Sequence, residues 1–262
     1  MMQRALSSCA RTSRAIRAVS SSGRRVAVIY GSFCKHRESQ TDADVIARAL
    51  AAEGLEVSEP CEGVAGAWES AARADALVVC TSTRLGLPPE NLAPFADALV
   101  GAAGDGAAPL GHLRHAVFGN GHENWLSTFM NAPRAIDALL EACGSSRAFA
   151  RGEANEPCAP LGADRCRVRD WAPACARALA GALGGGGDAP AVSHGALWAT
   201  AASPFHHEFQ VWNRSHLRAF YPELDPAYAP PADDAERHLR RRVARDARAR
   251  LLSEAQGRKP TW

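Results

Sequence analysis

Two groups of small polar residues stand between an apolar run and a helical segment near the start of the chain. The apolar residues 26–30 lead into Gly31 and Ser32, and a second group, Ser39-Gln40-Thr41, comes just before residues 42–53, which have helical periodicity. Unpaired N–H groups and the dipole at the start of a helix bind anions. The pattern therefore predicts a phosphate site, although the intervening sequence FCKHRE is long and charged for such a loop.

Two further loops follow predicted strands. Residues 81–91 have the sequence TSTRLGLPPEN after the apolar run 76–80, and residues 118–125 have the sequence FGNGHENW after the run 115–118. In open α/β sheets, ligands bind at the carboxyl ends of the strands, around the point where the strand order reverses. We therefore expect all three loops at one edge of a single sheet.

The elements that must position these loops alternate along the chain. Strands are predicted at residues 26–30, 55–58, 76–80, 115–118 and 147–150, and helices at residues 42–53, 68–74, 89–100, 134–143 and 170–183. Strands that alternate with helices of this length indicate a parallel sheet covered on both faces. The expected fold class is therefore α/β, with a doubly wound sheet of five strands.

Together with the later sequence RGEA at residues 151–154 and DW at residues 170–171, the three loops resemble the FMN domain of diflavin reductases. The likeness is closest to the reductase part of self-sufficient bacterial fatty-acid monooxygenases, and it covers nearly all of residues 26–180. It implies a flavodoxin-like fold with strand order 2-1-3-4-5 and FMN as a non-covalent cofactor.

The resemblance also implies which residues contact the flavin. Trp125 matches an aromatic residue that stacks on one ring face, while the turn around Asn124 lets the backbone approach the ring. Arg84 stands where the family places the second aromatic residue, and His122 stands where the family usually has Asp. The contacts implied in the second and third loops are Ser82, Thr83, Arg84, Gly86, Gly119, Gly121, Asn124 and Trp125.

The first loop departs from the compact turn of the family and leaves two alignments open. In one, Ser32 begins an enlarged loop in which Lys35, His36 or Arg37 supplies positive charge. In the other, which we prefer, the Ser39-Gln40-Thr41 group holds the phosphate just before the helix, and residues 33–38 bulge outward. Asp42, in place of a family glycine, would repel the phosphate unless its carboxylate caps the helix.

The two ends of the chain differ from its middle in composition. Residues 1–25 carry six arginines and no acidic residue. This composition is typical of an organelle transit peptide, which we predict over residues 1–24. The mitochondrion is favoured as its destination over the plastid or the cytoplasm. Residues 25–184 form the predicted flavodoxin-like domain. A linker and C-terminal extension, residues 185–262, end in a predicted basic amphipathic helix at residues 233–256.

The composition of the chain limits the kinds of partner and ligand that we expect. The middle of the chain is acidic although the whole chain has a net charge of +2, which argues against a nucleic-acid partner. No apolar run is long enough for a transmembrane segment. The eight cysteines are scattered without a zinc-type or other paired spacing, so the sequence predicts no metal site and no disulfide framework.

The function that follows is an FMN-binding carrier of single electrons with no catalytic residues of its own, since the flavin performs the chemistry. Without a recognisable FAD/NADPH module, it is expected to need a separate reductase and an electron-acceptor protein with a basic docking face. Two alternatives stay open. One is a flavin-free pseudo-flavodoxin that serves as an interaction module, and the other is a flavodoxin-type FMN or quinone reductase.

Overall fold

Parallel strands and the helices between them make up most of the described chain. A computed structural model describes residues 24–32, 38–83, 86–121, 129–155 and 166–184, together with Asp233 and Glu236. The strands are β1 (Arg25–Gly31), β2 (Glu56–Val57), β3 (Cys61–Glu62), β4 (Ala76–Ser82), β5 (Arg114–Gly121), β6 (Ser146–Arg147) and β7 (Gly152–Asn155). The helices in these residues are α1 (Glu38–Ala52), α2 (Ala67–Arg73), α3 (Ala93–Gly104), α4 (Asn131–Ala142) and α5 (Cys166–Gly184).

The strands form one parallel sheet with β1, β4 and β5 at its centre. Both β2 and β3 pair with the outer side of β1, and both β6 and β7 pair with the outer side of β5. Each predicted edge strand is thus divided into two short segments. Pro60 separates β2 from β3, as expected of a residue that cannot donate a ladder hydrogen bond. With each divided strand counted once, the order is 2-1-3-4-5, which confirms the predicted α/β fold.

Alternate residues of each central strand enter one of two cores. On one face, Ile29, Val79 and Val117 pack with α2, α3 and α4. On the other face, Val28 and Phe118 pack with α1 and α5. Because both faces of the sheet are covered, the central strands are mostly apolar, as buried parallel strands usually are.

The sequence placed several helix starts too late or too early. The first helix begins at Glu38 rather than at Asp42, so the expectation that the 39–41 group precedes it is wrong. The third begins at Ala93 rather than at Pro89, because residues 89–92 form a turn in which the Leu92 N–H donates to the Pro89 carbonyl at 2.8 Å. The proline that occupies the first turn of α3 is Pro94.

The DW sequence has a structural role. Trp171 is fully buried, its ring centroid lies 5.2 Å from that of Phe118, and its Nε1–H donates to the Ala150 carbonyl at 2.9 Å. These contacts hold the segment between β6 and β7 against the helix α5. This part of the resemblance therefore reflects the packing of the sheet edge.

Several predictions concern residues outside the described part of the chain. These are the transit peptide, apart from Arg24, and the linker and extension, apart from two residues. Asp233 Oδ1 accepts the Glu236 backbone N–H at 2.8 Å, which is the geometry of a helix N-cap at the predicted start of the last helix. Of the described helices, none combines the length and the apolar character that a membrane span requires.

Candidate functional site

The three central strands end together at one edge of the sheet. Gly31 of β1 lies in register with Thr81 of β4, which in turn lies in register with Gly119 of β5. Because the strands are parallel, the segments that leave them all start at this carboxyl edge. The structure therefore brings the beginnings of the three predicted loops together.

The first turn of α1 carries the residues of the preferred phosphate alignment. Ser39 is buried and faces the sheet, Gln40 is half-buried and Thr41 is exposed. Ser39 belongs to the buried stripe of α1, with Ala43, Ile46 and Leu50. The two hydroxyls therefore point to different sides of the helix, and they do not converge as a pair of phosphate ligands would.

Asp42 faces the sheet and does not cap the helix. Its Oδ2 accepts a hydrogen bond of 2.7 Å from Nδ2 of Asn120, which also lies 3.5 Å from Ser39 Oγ. Asn120 is only 9% exposed and belongs to the end of β5. A carboxylate and an amide thus join the start of α1 to the strand that leads into the third loop.

The buried thiol of Cys80 lies beneath this pair. Burial raises its pKa well above the usual range, and the Asp42 carboxylate raises the pKa further, while a hydrogen bond with Ser39 lowers it. The thiol therefore stays protonated near neutral pH and is a poor nucleophile. It fills the space under the site as a small apolar group would.

The second loop is tied to the third by hydrogen bonds at Thr83. The Thr83 N–H donates to the Asn120 carbonyl at 3.2 Å, and Thr83 Oγ1 accepts the Ala132 N–H at 3.3 Å. The neighbouring Ser82 Oγ is buried and has no hydrogen-bond partner among the described residues. Further along, Gly86 has a φ of +87°, a left-handed conformation that favours glycine.

The glycines of the third loop are explained by helix packing. A Cβ on Gly119 would lie 2.5 Å from Pro133 Cγ, and a Cβ on Gly121 would lie 3.2 Å from Met130 Cε. Met130, just before α4, has a φ of 58°, which is uncommon for a residue with a side chain. Both glycines let the start of α4 approach β5, so their presence does not by itself indicate a ligand.

A buried network of charges below the third loop was missed by sequence reasoning. The Arg134 guanidinium binds Glu153 through Nε and a terminal nitrogen, each at 2.8 Å, and Arg151 Nε donates to the same carboxylate at 3.0 Å. Glu153 lies in register with Gly119. The network therefore fastens the first turn of α4 to the strand pair that carries the third loop.

Asp137 of α4 is the centre of the same network. It is 1% exposed, and its oxygens accept hydrogen bonds from Arg147 at 2.8 Å and from Arg151 at 2.6 Å, with His115 Nε2 at 3.3 Å. Burial by itself raises the pKa of Asp137, but the bond from His115 and the two arginine charges outweigh it and hold the pKa well below the usual range. The only signal in the sequence was the charged RGEA motif within an otherwise apolar sheet edge.

Other residues singled out in the sequence lie outside the described part of the chain: Lys35, His36, Arg37, Arg84, His122, Asn124 and Trp125. Their roles stay predictions. Among the described residues, no group of His, Cys, Asp and Glu could hold a metal ion, and the four cysteines whose side chains are described are free thiols.

This arrangement, a doubly wound parallel sheet with three loops joined at its carboxyl edge, is that of a flavodoxin-like domain. The family model described as flavodoxin matches residues 28–169, more than half of the chain, and the chain belongs to that family. The resemblance drawn from the three loops is thereby confirmed.

Individual relatives are multidomain proteins. The chain is 34% identical over 142 residues to the self-sufficient cytochrome P450 monooxygenase CYP505U2 of Exserohilum turcicum, covering 54% of this chain and 13% of that protein. It is 38% identical over 78 residues to the bifunctional cytochrome P450/NADPH–P450 reductase 2 of Bacillus subtilis, covering 30% and 7%. The matched segment thus spans only a small part of these relatives' length.

Solved structures of flavodoxins are also similar. A flavodoxin from Pseudomonas aeruginosa matches 59% of this chain and 98% of its own length, at 22% identity and a TM-score of 0.49. Flavodoxin 2 from Bacillus cereus matches 58% of this chain and 98% of its own length, at 22% identity and a TM-score of 0.47.

FMN is the cofactor of the flavodoxin family, and the described residues fit it in part. The buried Ser82 hydroxyl at the joined edge has no hydrogen-bond partner among the described residues and could donate to a flavin heteroatom. The start of α1 offers helix N–H groups to a phosphate. The Asp42 carboxylate, one turn into the same helix, works against a phosphate dianion. Of the described residues, Ser82 therefore fits FMN better than the start of α1 does.

Proposed function

We propose that this chain binds one FMN at the carboxyl edge of the sheet and passes single electrons between a separate reductase and an acceptor protein. The observation that carries the proposal is the buried Ser82 hydroxyl, which has no hydrogen-bond partner in the described part of the chain and lies at the edge where the three loops begin. A buried hydroxyl without a partner destabilises a fold by roughly 1–3 kcal/mol, and a bound ligand that pairs with it would remove that cost.

FMN supplies one-electron and two-electron chemistry when it is bound. In our proposal the protein binds and orients the cofactor through Ser82, Thr83 and the loops joined at Asn120. No acid–base residue is required. The buried charge network around Asp137 and Glu153 would keep the third loop in place while electrons enter and leave.

Two observations support our choice of partners: the acidic residues near the site and the names of the matched relatives. Two exposed acids near the carboxyl edge, Glu62 and Glu90, offer an acidic rim to a basic partner. The matched relatives are named as monooxygenases and as NADPH–P450 reductases, so their flavodoxin-like parts belong to longer electron-transfer proteins. We propose that the corresponding reductase for this chain is a separate NADPH-dependent flavoprotein.

Reduction kinetics test this proposal. The FMN-loaded full chain is mixed anaerobically with NADPH alone and with NADPH plus a catalytic amount of an FAD-containing NADPH reductase, while the flavin absorbance is followed. We expect reduction only in the second mixture, followed by reoxidation when cytochrome c is added. Direct reduction by NADPH alone would instead support the flavodoxin-type FMN or quinone reductase.

The Asp42 carboxylate favours one other candidate, a flavin-free pseudo-flavodoxin. A negative charge in the first turns of α1 weakens binding of a phosphate dianion. Purified protein that cannot be loaded with FMN, and that still unfolds cooperatively, would support that candidate against the electron carrier.

We also propose a mitochondrial location, on the basis of the arginine-rich, acid-free residues 1–24. Fusion of these residues to a fluorescent protein tests it. Co-localisation with a mitochondrial marker, lost when the arginines are replaced by glutamine, is the expected result; diffuse or plastid fluorescence would contradict it.

A further inference from the structure

A single side chain of the second loop bridges the end of β1 and the edge strand. Asn91 Oδ1 accepts the backbone N–H of Ser32 at 3.0 Å, and Asn91 Nδ2 donates to Glu62 Oε1 at 3.0 Å. The two partners fix the orientation of the amide, because an N–H needs an acceptor and a carboxylate needs a donor. Asn91 therefore contacts both the residue that follows β1 and the edge strand β3.

The next residue locks the same turn in place. Leu92 is fully buried between two glycines, since a Cβ on Gly31 would lie 2.5 Å from Leu92 Cβ and a Cβ on Gly63 would lie 2.4 Å from Leu92 Cδ1. The Phe95 N–H donates to the Gly63 carbonyl at 3.0 Å. The turn at residues 89–92 is thus clamped against β1 and β3, so the Asn91 side chain has little freedom to move away.

These contacts determine the direction of the backbone at Ser32. Its N–H is committed to Asn91, so it does not serve as a donor to a phosphate, and of the Ser32 groups only the hydroxyl is left for that role. Among the described residues, the Ser32 hydroxyl and the first turn of α1 are the groups that could donate to a phosphate. The direction of the Ser32 hydroxyl depends on the Ser32 backbone, which Asn91 holds.

We infer that Asn91, held by Glu62, is a positioning residue for the phosphate group of FMN, acting through the Ser32 backbone. The inference rests on the proposed FMN site and deepens it. A positioning role of this kind affects a flavin that carries a phosphate, whereas a merely structural role would affect any flavin. Riboflavin, which lacks the phosphate, is therefore the discriminating ligand.

The test compares FMN and riboflavin affinities, measured by quenching of flavin fluorescence on the flavin-free full chain. We expect N91A to weaken FMN binding about tenfold and riboflavin binding less than about twofold, as for loss of one part-buried hydrogen bond to the backbone. E56Q, at an exposed position of β2 that pairs with the start of β1 and so lies away from the carboxyl edge, is the control and should change neither affinity. Equal losses for both flavins in N91A, or no loss for FMN, would overturn the inference.

A second pair of variants, N91D and N91D/E62Q, tests the positioning role of Asn91 even if N91A does not fold. In N91D the new carboxylate can still accept the Ser32 N–H but lies against Glu62, so FMN binding should fall about tenfold. In N91D/E62Q the new amide donates to the new carboxylate and the total charge is that of the natural chain, so FMN affinity should return to within about threefold. Failure of E62Q to rescue N91D contradicts the inference.

The natural chain separates this inference from the proposed function. If it binds FMN no more tightly than riboflavin, the phosphate has no positioned site and the inference fails while the flavin proposal survives. If it binds neither flavin, the proposed function fails and the inference fails with it.

Discussion

Asn120 and Asp42 are 78 residues apart in sequence, yet an amide-to-carboxylate hydrogen bond of 2.7 Å joins them at the edge of the sheet. The bond directs the carboxylate toward β5 and away from the end of α1. It also ties the helix that we propose for the phosphate to the strand that leads into the third loop. The two parts of the proposed cofactor site are therefore mechanically connected.

The charge of Asp42 is expected to weaken phosphate binding. D42N keeps a side-chain oxygen that can accept the hydrogen bond from the Asn120 amide. FMN affinity should rise about fivefold at low ionic strength and less in salt, with riboflavin affinity unchanged. D44N, at an exposed position of α1, is the control and should have a smaller effect. Weaker FMN binding by D42N would show that the carboxylate assists the site.

The unpartnered hydroxyl of Ser82 predicts a separation between stability and binding. S82A removes a buried hydroxyl that has no hydrogen-bond partner among the described residues, so the unfolding free energy of the flavin-free protein should rise by roughly 1–3 kcal/mol. FMN affinity should fall about three- to tenfold, as for loss of one buried hydrogen bond. Equilibrium urea unfolding and flavin-fluorescence titration measure the two quantities.

Ser145 provides the opposite case. Its buried hydroxyl donates to the Leu113 carbonyl at 3.1 Å and lies 2.8 Å from His115 Nδ1, away from the carboxyl edge. S145A should therefore destabilise the protein by about 1–2 kcal/mol and leave FMN affinity unchanged. Equal effects of S82A and S145A on FMN binding would contradict the assignment of Ser82 to the site.

The central elements of the fold could be predicted from the sequence, because buried parallel strands are apolar along their whole length. The runs at 26–30 and 76–80 are of this kind, and the run at 115–118 is apolar after its first residue, His115; each run lies within an observed strand. The start of α1 could not be predicted from local residues. Asp42 has the residue type of a helix cap, but its carboxylate is used by Asn120, a residue that only the folded chain brings near.

The charged parts of the interior were also beyond sequence reasoning. Charged residues are rarely buried unless they are paired, and the pairs here join α4 to β6, β7 and the residue before β7. Asn91 was overlooked for a related reason: its partners, Ser32 and Glu62, become neighbours only when the second loop packs on β1. The residues PPEN at the end of the second loop are visible in the sequence, but the role of Asn91 depends on these distant contacts.

The Asp137 network predicts a large stability effect. D137N leaves the charges of Arg147 and Arg151 buried without their shared carboxylate, so unfolding free energy should fall by about 3–5 kcal/mol. E141Q alters the more exposed partner of Arg147 and should cost less than about 1 kcal/mol. Equilibrium denaturation checks both values, and similar effects of the two variants would contradict a central role for Asp137.

The same residue predicts a pH dependence. A carboxylate whose pKa is lowered on folding contributes stability that is present above its unfolded pKa of about 3.9 and is lost as the pH falls toward the folded pKa. Unfolding free energy of the natural chain should therefore decline on acidification below about pH 5. The decline should be shallower in D137N, and an identical decline in both proteins would contradict the assignment.

The most direct test of the central claim is the flavin content of the purified full chain after incubation with excess FMN and removal of free cofactor. We expect one FMN per chain, recognised by the visible absorption bands of oxidised flavin and by release of FMN on heat denaturation. A folded protein that retains no FMN under these conditions would contradict the account.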